Sequence, residues 1–342
     1  MTPLENVIIG IIEAEGPLPL DRYMGFCLGH PLYGYYVSRD PFGAAGDFTT
    51  APEISQVFGE MIGVWCITAW QAMGSPDQFA LVELGPGRGT LMADILRAAK
   101  SAPEFLAAVQ VHLVEISPVL RAVQAEKLAN TAIWHEDVGG LPEIATIVIA
   151  NEFFDALPVR QFENLGGQTF ERCVGIENGA LQLILVPAVQ RGGKDGIFET
   201  CDMAHNVFND VMVTIEKHGG LALVIDYGYS TPSSGDSMQA MRKHQYCGIL
   251  DTPGEADLTA HVDFAKLGEG HAVHLISQRE FLMAMGIELR SSQLAAQLDG
   301  DAKSDFLAAT ARLVAANQMG DLFKVMCARQ KNTMPIYPFG AS

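Results

Sequence analysis

The spacing of hydrophobic residues changes along the chain from a helical period to short apolar runs. Residues 3–15 and 18–28 repeat apolar side chains at helical spacing, and the pattern predicts a further helix over residues 50–73. The start of that helix, Thr50-Ala51-Pro52-Glu53, has the sequence of a capping box, in which the Thr and Glu side chains satisfy free backbone amides. From residue 79 onward, apolar runs alternate with amphipathic stretches, which is typical of an α/β fold.

Six apolar runs are predicted as strands of a doubly wound sheet, because helical stretches separate them. They comprise residues 79–84, 111–115, 131–134, 145–150, 221–226 and 322–328. Run 145–150 is apolar on both faces, as expected for a buried parallel strand. Asn178-Gly179 lies between two further runs and predicts a two-residue β-hairpin turn. Helices are expected over residues 90–99, 118–128, 203–218 and most of 278–317.

The predicted strands fall in three separate stretches, which divides the chain into a core and its additions. A length of 342 residues suits about two domains. We predict a Rossmann-like core at 79–160, 219–229 and 320–329, preceded by an N-terminal helical and loop region at 1–78. Residues 161–218 and 230–319 are then helical and hairpin insertions that form a cap or a substrate-binding subdomain.

Acidic residues strongly outnumber basic ones. The chain has 40 Asp and Glu against 22 Lys and Arg, which gives a formal net charge of −18 and a pI near 4.8. Binding to nucleic acid through its phosphates requires clustered basic side chains, so this composition argues against a nucleic-acid partner. It favours a cationic partner instead, such as a basic segment of another protein.

The six cysteines contain no Cys-x-x-Cys pair, so neither a zinc site nor a thioredoxin-like centre is expected. The first residues, MTPLENVIIGIIEAEG, carry no basic side chain, unlike a secretory signal or an Arg-rich transit peptide. The apolar runs are far shorter than the ~20 residues of a membrane-spanning helix. We therefore expect a cytoplasmic protein with no metal site and no membrane insertion.

A glycine-rich turn, Gly85-Pro86-Gly87-Arg88-Gly89, separates the strand that ends in Glu83-Leu84 from a helix that starts at Thr90. Glycines let a ligand approach the backbone, and the helix start offers free N–H groups. The ligand is a dinucleotide or S-adenosylmethionine (SAM). The fingerprint G-x-G-x-x-G requires glycine where this chain has Thr90, so NAD and FAD are not expected. The spacing G-x-G-x-G resembles motif I of class I SAM-dependent methyltransferases.

Acidic residues follow the next two predicted strands. Glu115 ends run 111–115, where an acid in Rossmann-type sites accepts hydrogen bonds from two vicinal ribose hydroxyls. Asp137 follows run 131–134, where methyltransferases often bind the adenine amino group. Glu115 and Asp137 are therefore candidates for binding ribose and adenine. The alternative is that each is a surface acid at the end of a strand.

Asn151, Glu152 and Asp155 directly follow run 145–150, at the carboxyl edge of the sheet, where α/β enzymes bind their substrates. One amide and two acids at this edge suit the point where a methyl donor meets its acceptor. Glu152 and Asp155 are three residues apart and can share one face of a helical turn. The alternative is an acidic helix start. Our second choices for the acceptor site are Asp226, His261 and Asp263.

Five segments together resemble the MidA family of SAM-dependent methyltransferases. They are ELGPGRGTLMADILRA, NEFFDALPVRQF, GDFTTAPEISQVFGE, LVIDYG and TAHVDF, and they span about residues 20–328. The resemblance implies a class I methyltransferase fold, SAM as the methyl donor, and protein arginine N-methylation. It also implies a role in complex I assembly and a protein partner with an exposed arginine, a respiratory complex I subunit of the 49-kDa type.

The resemblance adds residues to the candidate site. We assign Glu83, the three glycines of the turn and Asn151 to cofactor binding, and we expect Gly46 and Asp47 to fold over the cofactor. Asn151 is also a candidate at the acceptor site. Two other functions remain open at this point. The chain could methylate a small molecule under a lid formed by the insertions, or it could be an assembly chaperone that acts by protein contact.

Overall fold

The structure is a computed structural model that describes residues 1–38, 50–189, 193–231 and 234–340. The chain forms two compact units. The smaller comprises Met1–Phe48, Asp155–Asn206 and Thr231–Asp263, and the larger comprises Thr49–Phe154, Val207–Ser230 and Phe264–Ser342. The larger unit thus includes residues 264–319, which the sequence pattern placed in an insertion. The predicted three-part division itself stays a prediction.

The larger unit is built on one sheet, as the alternating pattern predicted. Its strands, in chain order, are β1 (Phe79–Leu84), β2 (Val109–Val114), β3 (Ile133–His135), β4 (Thr146–Asn151), β5 (Gly220–Tyr229), β6 (Ala272–Ser277) and β7 (Phe323–Arg329). They lie in the order β3-β2-β1-β4-β5-β7-β6, and β7 runs antiparallel to both of its neighbours. The other pairs, from β3 to β5, are parallel.

The register of the parallel strands aligns their carboxyl ends. Leu84, the last residue of β1, pairs with Val114 of β2 and with Ala150 of β4. Asn151, which ends β4, pairs with Ile225 of β5. The residues that follow β1, β2 and β4 therefore leave the sheet side by side along one edge. This alignment brings the predicted glycine turn and the predicted acids to a common place in the larger unit.

Six of the seven strands named above agree with the sequence prediction to within a few residues. Five of them contain buried apolar side chains, whereas no residue of β3 is buried. Every residue of β1 and β4 is buried, in keeping with apolar faces on both sides of the sheet. Strand β6 was missed. All of its residues are only half-buried, and its sequence AVHLIS is a short apolar run next to a predicted helix. Such a run does not distinguish a strand from a helix start.

Helices cover the sheet of the larger unit. Three of them adjoin the candidate site: α1 (Gln56–Ala72), α2 (Thr90–Ala98) and α3 (Pro118–Lys127). The others are Ala51–Ile54, Pro103–Ala108, Phe264–Leu267, Gln278–Ala284, Ile287–Ala295 and Gly300–Val314. Helix Asp202–His218 begins in the smaller unit and ends in the larger.

Helix α1 lies close against α2 because two of its residues are glycines. A Cβ atom at Gly59 would come within 2.5 Å of Cβ of Asp94, and one at Gly63 would come within 2.9 Å of Cβ of Ala98. Any larger residue at either position would push the two helices apart. The two glycines therefore hold α2, the helix that begins directly after the glycine-rich turn, at a fixed distance from α1.

The predicted capping box at Thr50 is wrong. The predicted single helix is broken at Ser55, whose extended backbone (φ −156°) separates Ala51–Ile54 from α1. Ser55 caps α1, and the Thr50 side chain makes no capping hydrogen bond. Glu53 instead accepts a hydrogen bond from the Thr90 hydroxyl (2.5 Å). A hydroxyl at the start of α2 thus competes successfully for the carboxylate that the local pattern assigned to the cap.

In its described residues, the smaller unit contains three complete helices and two antiparallel sheets. The helices are Pro3–Glu15, Leu20–Gly29 and Tyr35–Ser38. The first sheet comprises Leu18–Pro19, Arg160–Leu165, Gln168–Glu177, Ala180–Pro187 and Gly196–Thr200. The second comprises Gln239–Arg242, Gln245–Cys247 and Asp257–Thr259, and a two-residue strand, Val262–Asp263, follows it. The predicted hairpin is confirmed, because Glu177 pairs with Ala180 and both turn residues have positive φ angles.

Within the part of the chain that the structure describes, no helix is both long enough and apolar enough to cross a membrane.

Two histidines on neighbouring strands share one hydrogen bond. Nδ1 of His112 on β2 lies 2.8 Å from Nε2 of His135 on β3, and the two rings stack with their centroids 5.1 Å apart. Burial lowers the pKa of His112 from 6.5 to about 4, and the neighbouring His135 adds to this shift. The folded state therefore holds His112 in its neutral form.

We predict that His112 makes the fold less stable as the pH falls from about 6.5 to about 4. In that window the unfolded chain binds a proton at His112 and the folded chain does not, so protonation favours unfolding. The contribution is at most ~3 kcal/mol. The variant His112→Gln should remove it, which urea denaturation across this pH window measures. His244→Asn, at an exposed histidine, should keep the wild-type pH dependence. A His112→Gln curve parallel to the wild-type curve would contradict the prediction.

Candidate functional site

The turn after β1 has a backbone that only glycine adopts without strain. Gly85, Gly87 and Gly89 all have left-handed φ angles, of 60°, 51° and 73°. The amide of Gly85 donates to the carbonyl of Val114 (3.0 Å), and the amide of Gly89 donates to the carbonyl of Pro86 (2.7 Å). The turn is therefore tied to β2 and leads directly into α2, whose first N–H groups point toward the carboxyl edge of the sheet.

Gly85 is required by the space around it as well as by its backbone conformation. A Cβ atom there would come within 2.8 Å of Cδ2 of Phe153, which lies in the loop after β4. The glycine lets the loops after β1 and β4 approach each other. The predicted ligand turn and the predicted acceptor loop are consequently adjacent in the larger unit.

Glu83 is a buried carboxylate at the end of β1. Its Oε2 has no hydrogen-bond partner among the described residues. Burial raises the pKa of Glu83 to about 8, against the opposing effects of the Met92 backbone amide and Lys127, while Glu115 raises it further. A positively charged group placed beside this side chain would favour its ionised form. The residue can therefore bind an ammonium group of a ligand.

Glu115 follows β2, and its two carboxylate oxygens are held in place. Oε1 accepts a hydrogen bond from the Ser117 amide (2.8 Å), and Oε2 accepts one from Nε2 of Gln124 (3.2 Å). Burial raises the pKa of Glu115. Each oxygen keeps a further lone pair, so the carboxylate can still accept hydrogen bonds from a diol.

Two side chains near the ends of β2 and β3 are open to solvent. Ile116, directly after Glu115, is 59% exposed although it is apolar. Asp137 is exposed, and its Oδ1 accepts a hydrogen bond from the Gly139 amide (2.8 Å) at the start of a short 3-10 helix, Val138–Gly140. Sequence reasoning missed Ile116, since an apolar residue after a strand normally indicates core.

The loop after β4 places Asn151 and Glu152 side by side. Nδ2 of Asn151 donates to Oε1 of Glu152 (3.1 Å), while Oδ1 of Asn151 is buried with no partner among the described residues. Glu152 has a φ of +49°, which is strained for a residue with a side chain. Its amide donates to the carbonyl of Ile225 (2.9 Å), and its Oε1 accepts from the Ala51 amide (2.9 Å). The surrounding structure thus fixes the Glu152 side chain.

The segment Ala51–Ile54 joins this loop to the glycine turn. Ala51 contacts Glu152 through its amide, and Glu53 accepts a hydrogen bond from Thr90, the first residue of α2. Lys127 donates to the same Thr90 hydroxyl (2.5 Å). Sequence reasoning missed these roles of Glu53 and Thr90, because no local pattern indicates a contact between such distant positions.

Asp226 is fully buried at the carboxyl edge of β5, where backbone amides occupy both of its oxygens. Oδ2 accepts from the amide of Phe154 (3.0 Å), and Oδ1 accepts from the amide of Tyr227 (2.9 Å). These bonds hold the end of the loop that contains Asn151 and Glu152. This arrangement suits a residue that positions the loop. It is less suited to a residue that contacts the acceptor directly.

The remaining predicted acceptor residues belong to the smaller unit. The carbonyl of Asp155 accepts a hydrogen bond from the Ala260 amide (2.9 Å), and the amide of His261 donates to Oγ of Ser237 (2.9 Å). Burial lowers the pKa of His261, although the Glu199 carboxylate acts in the opposite direction. Asp263 is half-buried. Gly46 and Asp47, predicted to cover the cofactor, lie outside the described residues.

The larger unit therefore brings together Glu83, the three glycines, Glu115, Asn151 and Glu152 along one sheet edge, with Asp137 after the neighbouring strand β3. A glycine turn before a helix, a buried acid and a second acid that can accept hydrogen bonds from a diol form a site that can hold an adenosine bearing a charged amino-acid end. The buried, unpartnered oxygens of Glu83 and Asn151 offer hydrogen-bond acceptors to such a ligand. These features fit SAM.

The comparisons with known proteins agree with this interpretation. Residues 61–275 match the family described as "Putative S-adenosyl-L-methionine-dependent methyltransferase". The chain is 35% identical to the mitochondrial protein arginine methyltransferase NDUFAF7 of Xenopus tropicalis, over 97% of this chain and 88% of that protein. It is also 35% identical to the human protein of the same name, over 85% of this chain and 75% of that one.

A solved structure is similar over almost the whole chain. A crystal structure from Burkholderia thailandensis, with bound S-adenosyl-homocysteine, has a TM-score of 0.82 and 27% identity, and the match covers 96% of this chain and 92% of that one. A second, native crystal structure from the same organism has a TM-score of 0.79 and 28% identity, and that match covers 96% of this chain and 91% of that one. The predicted methyltransferase fold is confirmed.

The predicted location of the protein is wrong. We expected a cytoplasmic protein, but the curated relatives of this chain are named as mitochondrial proteins. The residue pattern at the start of the chain did not reveal this relationship. The predicted fold, cofactor and family resemblance are confirmed together: the chain belongs to the family of S-adenosyl-L-methionine-dependent methyltransferases, and SAM is its methyl donor.

Proposed function

We propose that the protein transfers the methyl group of SAM to an arginine side chain of a protein substrate. The observation that carries this proposal is Glu152, a carboxylate held with a strained backbone directly after β4, in the loop whose Phe153 lies against the glycine turn. Strain of this kind persists where the surrounding structure requires it, and it is concentrated at functional sites. The relatives named as protein arginine methyltransferases support a guanidinium as the acceptor.

The cofactor roles follow the order of the strands. Gly85, Gly87 and Gly89 would let the amino-acid end of SAM approach the backbone, and Glu83 would bind its ammonium group. Glu115 would accept hydrogen bonds from the ribose hydroxyls, with the exposed Ile116 against the adenine. Asp137 would bind the adenine amino group, and Asn151 would offer its unpartnered Oδ1. We extend the cofactor site to Gly46 and Asp47 on the family resemblance alone.

The acceptor chemistry explains why carboxylates are needed. SAM supplies a methyl group on a positively charged sulfur, and the reaction is an in-line displacement that depends mostly on positioning. A guanidinium has a pKa above ~12 and is therefore cationic at neutral pH. Because its nitrogen lone pairs are delocalised, it is a poor nucleophile. A carboxylate that binds two of its nitrogens orients the group and localises positive charge away from the reacting nitrogen. Glu152 is our first choice for this role.

Asp155 is our second acceptor carboxylate, three residues after Glu152. His261 and Asp263 follow it in rank as groups that would bind or deprotonate the acceptor. Asp226 ranks last, because backbone amides already occupy both of its oxygens. Its contribution would be to keep the loop of Glu152 in place.

The substrate we propose is a respiratory complex I subunit of the 49-kDa type, as the family resemblance implies, and the function would then be complex I assembly. The net charge of −18 would help to attract a basic segment of such a subunit. Intact-mass analysis of the subunit, incubated with the protein and SAM, should show additions of one or more methyl groups at an arginine. Methylation of small molecules alone would favour a small-molecule enzyme. Assembly without any methyl transfer would favour a chaperone.

We predict that Gly87→Val abolishes measurable SAM binding in a folded protein. Valine is strained at a φ of 51°, and its branched side chain would occupy the side of the turn where the cofactor approaches the backbone. Isothermal calorimetry with SAM measures the effect. Gly166→Val is a matched control, because Gly166 has a φ of 56° and open space around it in a hairpin turn. Unchanged affinity in a folded Gly87→Val protein would place the cofactor elsewhere.

We predict that Glu152→Gln keeps SAM affinity and loses turnover. Leaving a buried guanidinium without its carboxylate costs roughly 3–5 kcal/mol, which corresponds to a loss of about 10²–10⁴ in kcat/KM. Glutamine retains an oxygen that can accept from the Ala51 amide, so the loop should keep its conformation. Asp155→Asn should act similarly but less severely. Glu177→Gln, at an exposed carboxylate, is the control. Near-normal methylation by both variants would move the acceptor site to His261 and Asp263.

A further inference from the structure

Gln124 is a fully buried polar residue on α3 that connects three parts of the cofactor site. Its Nε2 donates to the carbonyl of Gly87 (2.7 Å) and to Oε2 of Glu115 (3.2 Å). Its Oε1 accepts from the indole N–H of Trp134 on β3 (2.8 Å). Burying an amide is costly unless its polar groups are paired, and here both donors and the oxygen are used. The side chain therefore joins the glycine turn, the end of β2 and β3.

The three partners also fix the direction of the amide. A backbone carbonyl and a carboxylate only accept hydrogen bonds, whereas an indole N–H only donates. If the amide were rotated by half a turn, its oxygen would face two acceptors and its NH₂ group would face the donor of Trp134. Gln124 therefore has a single favourable orientation in this environment.

That orientation controls the carboxylate of Glu115. One oxygen is held by the Ser117 amide and the other by Gln124, so the plane of the carboxylate and its remaining lone pairs have a defined direction. The same Gln124 donor group restrains the carbonyl of Gly87, in the middle of the turn. Gly89 lies beside the glutamine stem, since a Cβ atom at Gly89 would be in ordinary van der Waals contact with Cγ of Gln124 (3.4 Å).

We propose that Gln124 is a positioning residue for the cofactor, which aims the Glu115 carboxylate at the ribose diol and holds the glycine turn in its binding conformation. The inference rests on the cofactor site proposed above. It adds a residue that acts through Glu115 and Gly87. A carboxylate that is already oriented binds a diol more tightly, because its side chain loses no further conformational freedom on binding.

The test compares three variants by calorimetry with S-adenosylhomocysteine. Gln124→Met keeps the length of the side chain and removes all three hydrogen bonds, so the Kd should rise about tenfold to about a hundredfold. Trp134→Phe removes only the support of the amide oxygen and should raise the Kd by a smaller factor. Gln71→Met makes the same chemical change at an exposed position and should leave the Kd unchanged. Thermal unfolding of each variant reports whether the fold is kept.

A second readout separates positioning from a structural role. The wild-type protein should bind S-adenosylhomocysteine more tightly than its 2′-deoxyribose analogue, because Glu115 needs both hydroxyls. In Gln124→Met this preference should fall, since the carboxylate is no longer aimed. If Gln124 has only a structural role, its substitution should lower the affinity for both ligands equally and leave the preference unchanged. That outcome, in Gln124→Met and in Trp134→Phe alike, would overturn the proposal.

A double-mutant cycle with Glu115→Gln distinguishes failure of this inference from failure of the cofactor site. If Gln124 acts through Glu115, the effect of Gln124→Met should largely disappear in the Glu115→Gln background. Additive effects of the two substitutions would contradict the inference and leave the cofactor site standing. If Glu115→Gln alone changes neither the Kd nor the preference for the ribose diol, the proposed cofactor site is wrong and the inference fails with it.

Discussion

The parallel pairing of β1 with β2 and β4 is the constraint on which the site depends. Because Leu84 pairs with both Val114 and Ala150, the loops after three strands leave the sheet at the same level. The glycine turn, Glu115 and the loop of Asn151 and Glu152 are thereby brought to one edge of the sheet. Shifting one pairing by a residue would turn the side chains of that strand to the other face and separate these groups.

The sequence pattern was sufficient for most of the fold because the central strands are buried on both sides. Runs 79–84 and 145–150 are almost entirely apolar, with one buried polar residue each, and Gly85, Gly87 and Gly89 directly follow the first of them, a pattern that predicts a ligand-binding turn. The places of Glu115 and Asn151 at the ends of strands were predictable for the same reason, since the end of a buried strand is a recognisable position; their roles at the site stay predictions. The pattern was weaker at β6, whose half-buried side chains carry no strong period.

The groups that the sequence did not reveal depend on contacts between distant residues. Gln124 has the pattern of an ordinary helix position, and only the fold shows that it is surrounded by Gly87, Glu115 and Trp134. Glu53 matches a capping box locally, yet the hydroxyl of Thr90 takes its carboxylate. Local propensity cannot rank such competing partners, because the competitor lies far away in sequence. The structure also showed that Asp226 supports the loop of Glu152.

The buried carboxyl group of Glu83 would link the binding of a cationic ligand to proton exchange with the solvent. With its pKa raised to about 8, the side chain is mostly protonated at neutral pH when no cation is near. A ligand that places a positive charge beside it would bind the ionised form and displace that proton. The affinity for such a ligand would then increase as the pH rises toward 8, and an uncharged analogue of similar shape would show no such dependence. The candidate site would thereby select a ligand by its charge as well as by its shape.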